Sequence, residues 1–124
     1  MSDAVLSKID QGVCTVTLNR PECLNAINQA LLSELDTILG RANADRSVQV
    51  ILLRGAGRAF CSGQDLNEFD DQSESEAEAR AYIEAIQAVS REMVLGEKVI
   101  VGAIQGWAVG GGLDIRNHLY ARDR

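Results

Sequence analysis

Two short runs, Val48-Gln49-Val50-Ile51-Leu52-Leu53 and Val99-Ile100-Val101-Gly102-Ala103-Ile104, constrain this chain more than any other feature. Each is almost continuously apolar and β-branched, the composition of a strand covered on both faces. Between them lies a stretch with helical period: Ile83, Ile86, Val89 (or Ser90) and Met93 mark one face of a helix expected from about Glu76 to Leu95. Two buried strands joined through a helix imply parallel pairing, because a parallel neighbour is reached only by a crossover.

The alternation continues toward the N-terminus. Val13 to Leu18 (VCTVTL) reads as a strand, preceded by a shorter one over Ala4 to Ile9, with Gln11-Gly12 as the turn between them. Asn19-Arg20-Pro21 stops the second strand, since proline lacks a ladder donor and restricts its predecessor. Leu31, Leu32, Leu35, Ile38 and Leu39 then define one helical face, starting near Asn28 as N-cap and ending between Gly40 and Ala44. The acidic, Ser-rich stretch Asp70 to Glu78 leads into the next helix, where carboxylates favour the dipole. The expected order is β-β-α-β-loop-α-β-loop-helix, a single α/β domain over residues 1–124. Only 4% of the 124 residues are aromatic, so the core rests on Leu, Ile, Val and Ala.

Bulk chemistry removes several functions. A net charge of −6 argues against a nucleic-acid groove or an anionic membrane surface as the main partner. The three cysteines, Cys14, Cys23 and Cys61, form no CxxC pair, and the single His118 completes no zinc set, so no metal is expected. Free thiols, the absence of a leader-like N-terminus and the lack of an apolar stretch of membrane length point to a cytoplasmic protein.

Two glycine-bearing segments carry the chemistry: Phe60-Cys61-Ser62-Gly63-Gln64-Asp65 and Gly106-Trp107-Ala108-Val109-Gly110-Gly111-Gly112-Leu113-Asp114. Each follows a buried strand, where open α/β sheets carry ligand sites. Three successive glycines opening a helix permit close approach of a ligand to unpaired N–H groups, although they also suit a tight strand-to-helix corner. Phosphate motifs do not fit: Gly55-x-Gly57 is followed by Phe60 where GxGxxG needs glycine, and GxxxxGK[ST] is absent.

Taken together, the motifs resemble the enoyl-CoA hydratase/isomerase, or crotonase, family. The resemblance rests on Val16-Thr17-Leu18-Asn19-Arg20-Pro21, Leu24-Asn25-Ala26, Val50-Ile51-Leu52-Leu53 before Gly55-x-Gly57, Ala59 to Leu66, and Lys98-Val99-Ile100 leading to Gly106 to Gly112. It implies a crotonase-like (ClpP/crotonase) ββα spiral core. It also implies two backbone N–H donors, at Gln64 and Gly111, that hold a thioester oxygen. Ala26 and the stretch Gln64, Asp65, Leu66 and Asn67 correspond to residues along the CoA and acyl moieties. The partner is then an acyl-CoA thioester, with coenzyme A part of the substrate rather than a separate cofactor. Asp114 stands where hydratases of the family carry a first glutamate. It reads either as an acid or base one methylene shorter than glutamate, or as a first-turn carboxylate favoured by the dipole. Asp65 also suits a structural loop role.

The resemblance covers about the first half of a typical member, ahead of a second glutamate and the C-terminal helical part. The tail 116–124 departs from the family pattern, as expected of a truncated or frame-shifted descendant or a shortened product. His118 reads as a tail surface residue and Trp107 as packing. Two functions remain open: enoyl-CoA hydration or double-bond isomerisation, and a non-catalytic remnant that binds CoA thioesters or self-associates. Apolar surface left uncovered by a missing half predicts a homo-oligomer.

Overall fold

The computed structural model describes residues 4–63 and 76–103, and the backbone of 121–123. Strands β1 (Val5–Asp10) and β2 (Val13–Leu18) form an antiparallel hairpin. Its turn is Gln11 (φ 49°) and Gly12 (φ 83°), both left-handed. A two-residue turn of that kind matches the twist of the strands it joins. A 3-10 turn over Pro21–Cys23 leads to α1 (Gln29–Ala44). Then come β3 (Val50–Gly55), α2 (Glu76–Leu95), β4 (Val99–Ala103) and β5 (Ala121–Asp123). The sheet order is β1-β2-β3-β4-β5, parallel from β2 onward.

Asn28 caps α1 as the sequence predicts, its side-chain oxygen accepting from the Leu31 N–H at 2.9 Å. Both helical crossovers advance in the same direction across the sheet, and right-handed connections therefore place α1 and α2 on one face. The core agrees. Alternate strand residues Cys14, Val16, Leu18, Ile51, Leu53 and Ile100 join Leu31, Leu32, Leu35 and Leu39 of α1 and Tyr82, Val89 and Met93 of α2. The ends of the two helices are tied by Asn43, whose amide donates to the Glu92 carbonyl at 3.2 Å and whose oxygen accepts from the Lys98 N–H at 3.2 Å. That bond sets the start of β4 beside the end of α1.

Three expectations change. The run ending at Leu53 is not covered equally on both faces: Val50 and Leu52 stay half-buried, and Val99, the neighbour of Val50, is 46% exposed. Hydrophobic continuity reports on burial only when something packs on the second side, and among the described residues α1 and α2 occupy just one. On α2 the buried stripe is Tyr82, Val89 and Met93 with Ala85 and Ile86 beside it, while Ile83 is 54% exposed. Tyr82 wins the inward position because its ring fills the space and its hydroxyl still meets a carbonyl, that of Ile27, at 3.5 Å. Finally, β5 adds a parallel strand that the Ala-Arg-Asp pattern does not announce, pairing Val101 with Ala121 and Ala103 with Asp123. The expected helix after Gly106 lies outside the described residues, as does most of the tail 116–124. No described helix is long and apolar enough to cross a membrane.

The rotation of α2 is directly measurable. Met93→Ala should destabilise the chain by about 2–5 kcal/mol, whereas Ile83→Ala should stay within about 0.5 kcal/mol of the parent. Urea unfolding followed by circular dichroism reads both; equal losses would show that Ile83 is packed after all.

Candidate active site

The parallel pairing brings the C-terminal ends of neighbouring strands level, with Leu18 opposite Gly55 and Arg54 opposite Ala103. Loops leaving such ends are the usual place for a ligand in an open α/β sheet. Here β2 feeds the Arg20–Ile27 loop, β3 feeds the strip Ala59–Gly63, and β4 feeds the second glycine segment. The two glycine segments thus spring from adjacent strands.

Backbone bonds lace the first two of these loops together. The Ser62 N–H donates to the Leu24 carbonyl at 3.0 Å, and the Ile27 N–H donates to the Gly63 carbonyl at 2.7 Å. Leu24 (φ 54°) and Asn25 (φ 56°) are both left-handed, which turns the loop so that it can face the strip. Gly63 is left-handed as well (φ 98°). Within the strip, Ala59, Phe60 and Cys61 are fully buried.

Asn25 is the one polar side chain among the described residues to be buried, and it is wholly so. Its amide nitrogen donates to the carbonyls of Ala56 and Ala59, each at 2.9 Å, and its oxygen accepts from the Arg20 N–H at 2.7 Å. The packing around it is tight. A Cβ on Gly55 would stand 2.6 Å from the carbonyl oxygens of Ala59 and Phe60 and 2.9 Å from the Asn25 amide nitrogen. On the outer side, the Arg20 guanidinium donates to the Ala26 carbonyl and lies 3.7 Å from Cys23 Sγ.

The structure therefore places one predicted contact residue, Ala26, buried in the laced loop and adjoining the strip that ends at Gly63. Gln64, Asp65, Leu66, Asn67, Gly111 and Asp114 lie outside the described residues, as do Trp107 and His118. Asn25 belongs to the motif Leu24-Asn25-Ala26, whose pattern does not announce this bonding. Its signal was a lone amide inside the apolar run Leu24-Asn25-Ala26-Ile27, of a residue type that tolerates left-handed backbone.

Cysteine chemistry is muted here. Burial pushes the Cys61 thiol up to about 11, against the opposing effect of a backbone hydrogen bond involving Gly63. A neutral thiol of this kind is a packing group, not a nucleophile. Among the described residues no cluster of three or more His, Cys, Asp or Glu side chains is arranged to hold a metal ion.

A family model described as enoyl-CoA hydratase/isomerase matches residues 8–118. The chain belongs to the enoyl-CoA hydratase/isomerase family. It is 34% identical over 116 residues to a short-chain-enoyl-CoA hydratase of Clostridium acetobutylicum, covering 93% of this chain and 43% of that protein. It is 35% identical over 114 residues to a 1,2-epoxyphenylacetyl-CoA isomerase of Escherichia coli, covering 90% of this chain and 44% of that one. Among solved structures, an enoyl-CoA hydratase/carnithine racemase from Magnetospirillum magneticum superposes with a TM-score of 0.90 at 33% identity, over 98% of this chain and 46% of that chain. The crotonase-like α/β fold expected from the motifs is the fold observed. The chain spans less than half the length of these relatives.

Because the folded state holds the Cys61 thiol above its ordinary 9.0, ionisation of Cys61 favours unfolding once the pH passes that value. Stability should be full below about pH 9 and fall as the pH rises toward about 11. Cys61→Ala should flatten that part of the profile in chemical denaturation; an unchanged slope would assign the loss to other groups.

Proposed function

We propose that this chain binds an acyl-CoA thioester and stabilises the oxyanion of its enolate, for enoyl-CoA hydration or double-bond isomerisation. The observation that carries this reading is the clamped carbonyl of Gly63, bonded at 2.7 Å to the Ile27 N–H. That bond fixes the end of the strip immediately ahead of Gln64 in the chain, the first proposed oxyanion donor. Gly111 supplies the second, from the segment that leaves the adjacent strand. Donors built into the backbone need no reorganisation as charge develops on the thioester oxygen, and one such donor is worth roughly 3–4 kcal/mol of barrier.

In this reading Ala26, Asp65, Leu66 and Asn67 lie along the CoA and acyl moieties. Asp114 moves the proton at the α or β carbon. Coenzyme A arrives as part of the substrate, and no separate cofactor is invoked. One relative is named a hydratase and another an isomerase. Both names fit a shared pocket, because both reactions can pass through a stabilised oxyanion.

A second reading, a self-associating CoA-thioester binder without turnover, draws on one observation. Val94 (59%) and Leu95 (74%) at the end of α2 are largely exposed, close in sequence to Val99. Apolar surface of this kind favours association.

Calorimetric titration with crotonyl-CoA and free CoA, alongside loss of enoyl absorbance, separates the readings. Tighter binding of the thioester with turnover is expected. Asp114→Asn should leave binding within about threefold and lower turnover by about 10²-fold or more. Binding without turnover would shift the conclusion to the second reading, with sedimentation testing the oligomer. Binding of neither ligand would sink both.

A further inference from the structure

We infer that Asn25 is a positioning residue for the thioester pocket: its carboxamide sets where the strip ending at Gly63 lies relative to the CoA-contacting loop at Ala26. This rests on the oxyanion reading above and adds a residue that neither the motifs nor the relatives assign a role.

The argument is one of valence. Both amide protons of Asn25 are taken, one by the Ala56 carbonyl and one by the Ala59 carbonyl, and the oxygen is taken by the Arg20 N–H. Those three partners belong to the two loops that leave β2 and β3. The same residue's left-handed backbone turns the Arg20–Ile27 loop so that the Leu24 carbonyl and the Ile27 N–H bond Ser62 and Gly63. Asn25 therefore acts on the strip from both ends, by side chain at Ala59 and through its loop at Gly63.

No other residue type meets all these demands. Aspartate keeps the shape and the acceptor but turns both donors into a charged oxygen facing two carbonyls. Glycine keeps the left-handed backbone and loses the clamp. Alanine loses the clamp and strains the backbone. Space beside the side chain is tight, since a Cβ on Gly55 would fall 2.9 Å from its amide nitrogen.

Asn25→Gly isolates the clamp from the backbone conformation. The experiment compares binding of crotonyl-CoA with binding of the matching S-alkyl-CoA thioether, which lacks the carbonyl. For the parent chain the thioester should bind more tightly, and the carbonyl stretch of labelled crotonyl-CoA should move to lower frequency on binding. In Asn25→Gly the thioether affinity should stay within about twofold. The thioester preference should fall by about tenfold, the scale of one hydrogen bond to the carbonyl. The carbonyl stretch should return toward its free value. Asn25→Asp should behave like the glycine variant.

If the folded variant keeps the parent's thioester preference and carbonyl shift, Asn25 does not position the pocket. If the parent itself shows no preference for thioester over thioether, the oxyanion reading fails instead, and the two failures are distinct. Should neither variant fold, the unsubstituted chain decides by NMR. The Asn25 side-chain amide resonances should move on adding the thioester and not the thioether; no movement with the thioester would overturn the inference.

Discussion

Everything in this structure depends on one pairing, that of β2 with β3. Because it is parallel, the chain must cross back over the sheet before β3 can form, and α1 is what makes that crossing. The register then sets Leu18 beside Gly55. Two loops consequently leave the sheet at the same level and side by side, close enough to exchange backbone hydrogen bonds. An antiparallel pairing would have sent one of those loops to the opposite end. The hairpin of β1 on β2 widens the sheet, but it is the parallel pair that brings the two loops together.

What the sequence showed of this fold follows from which signals are local. The turn at Gln11-Gly12, the Asn28 cap and the extents of α1 and α2 were all legible, because each is decided within a few residues. Burial was legible only on average. Ile83 and Tyr82 are adjacent, so a helical stripe can be drawn through either, and the choice is made by the loop carbonyl of Ile27 that only Tyr82 can answer. The half-exposed face at Val50, Leu52 and Val99 was misjudged for a similar reason: composition states what a strand tolerates, not what packs on it. β5 was missed because a three-residue edge strand needs no apolar signature when β4 supplies its partner.

The site divides in the same way. Its lineage was readable from motifs spread over most of the chain, and the family match bears that out. Ala26 is named as a contact because it sits in such a motif. Asn25 is not, since its importance comes from Ala56 and Ala59, more than thirty positions away. A buried amide in an apolar run is ambiguous until its partners are known. Here the partners are all main-chain groups, those of Arg20, Ala56 and Ala59, and Gly55 beside them leaves no room for a Cβ.

The strand order has a meaning for how the molecule comes into being. Among the described residues, each strand from β1 to β5 lies against the one made just before it, and none has to be inserted between two that already exist. A sheet of this kind can lengthen at one margin as the polypeptide leaves the ribosome, every addition finding its template already in place. The longest wait is for β4, which follows the whole of α2. Until it arrives, the far side of β3 is an open strand edge of the kind that pairs with other chains, so the interval between β3 and β4 is when nascent protein is most exposed to mispairing.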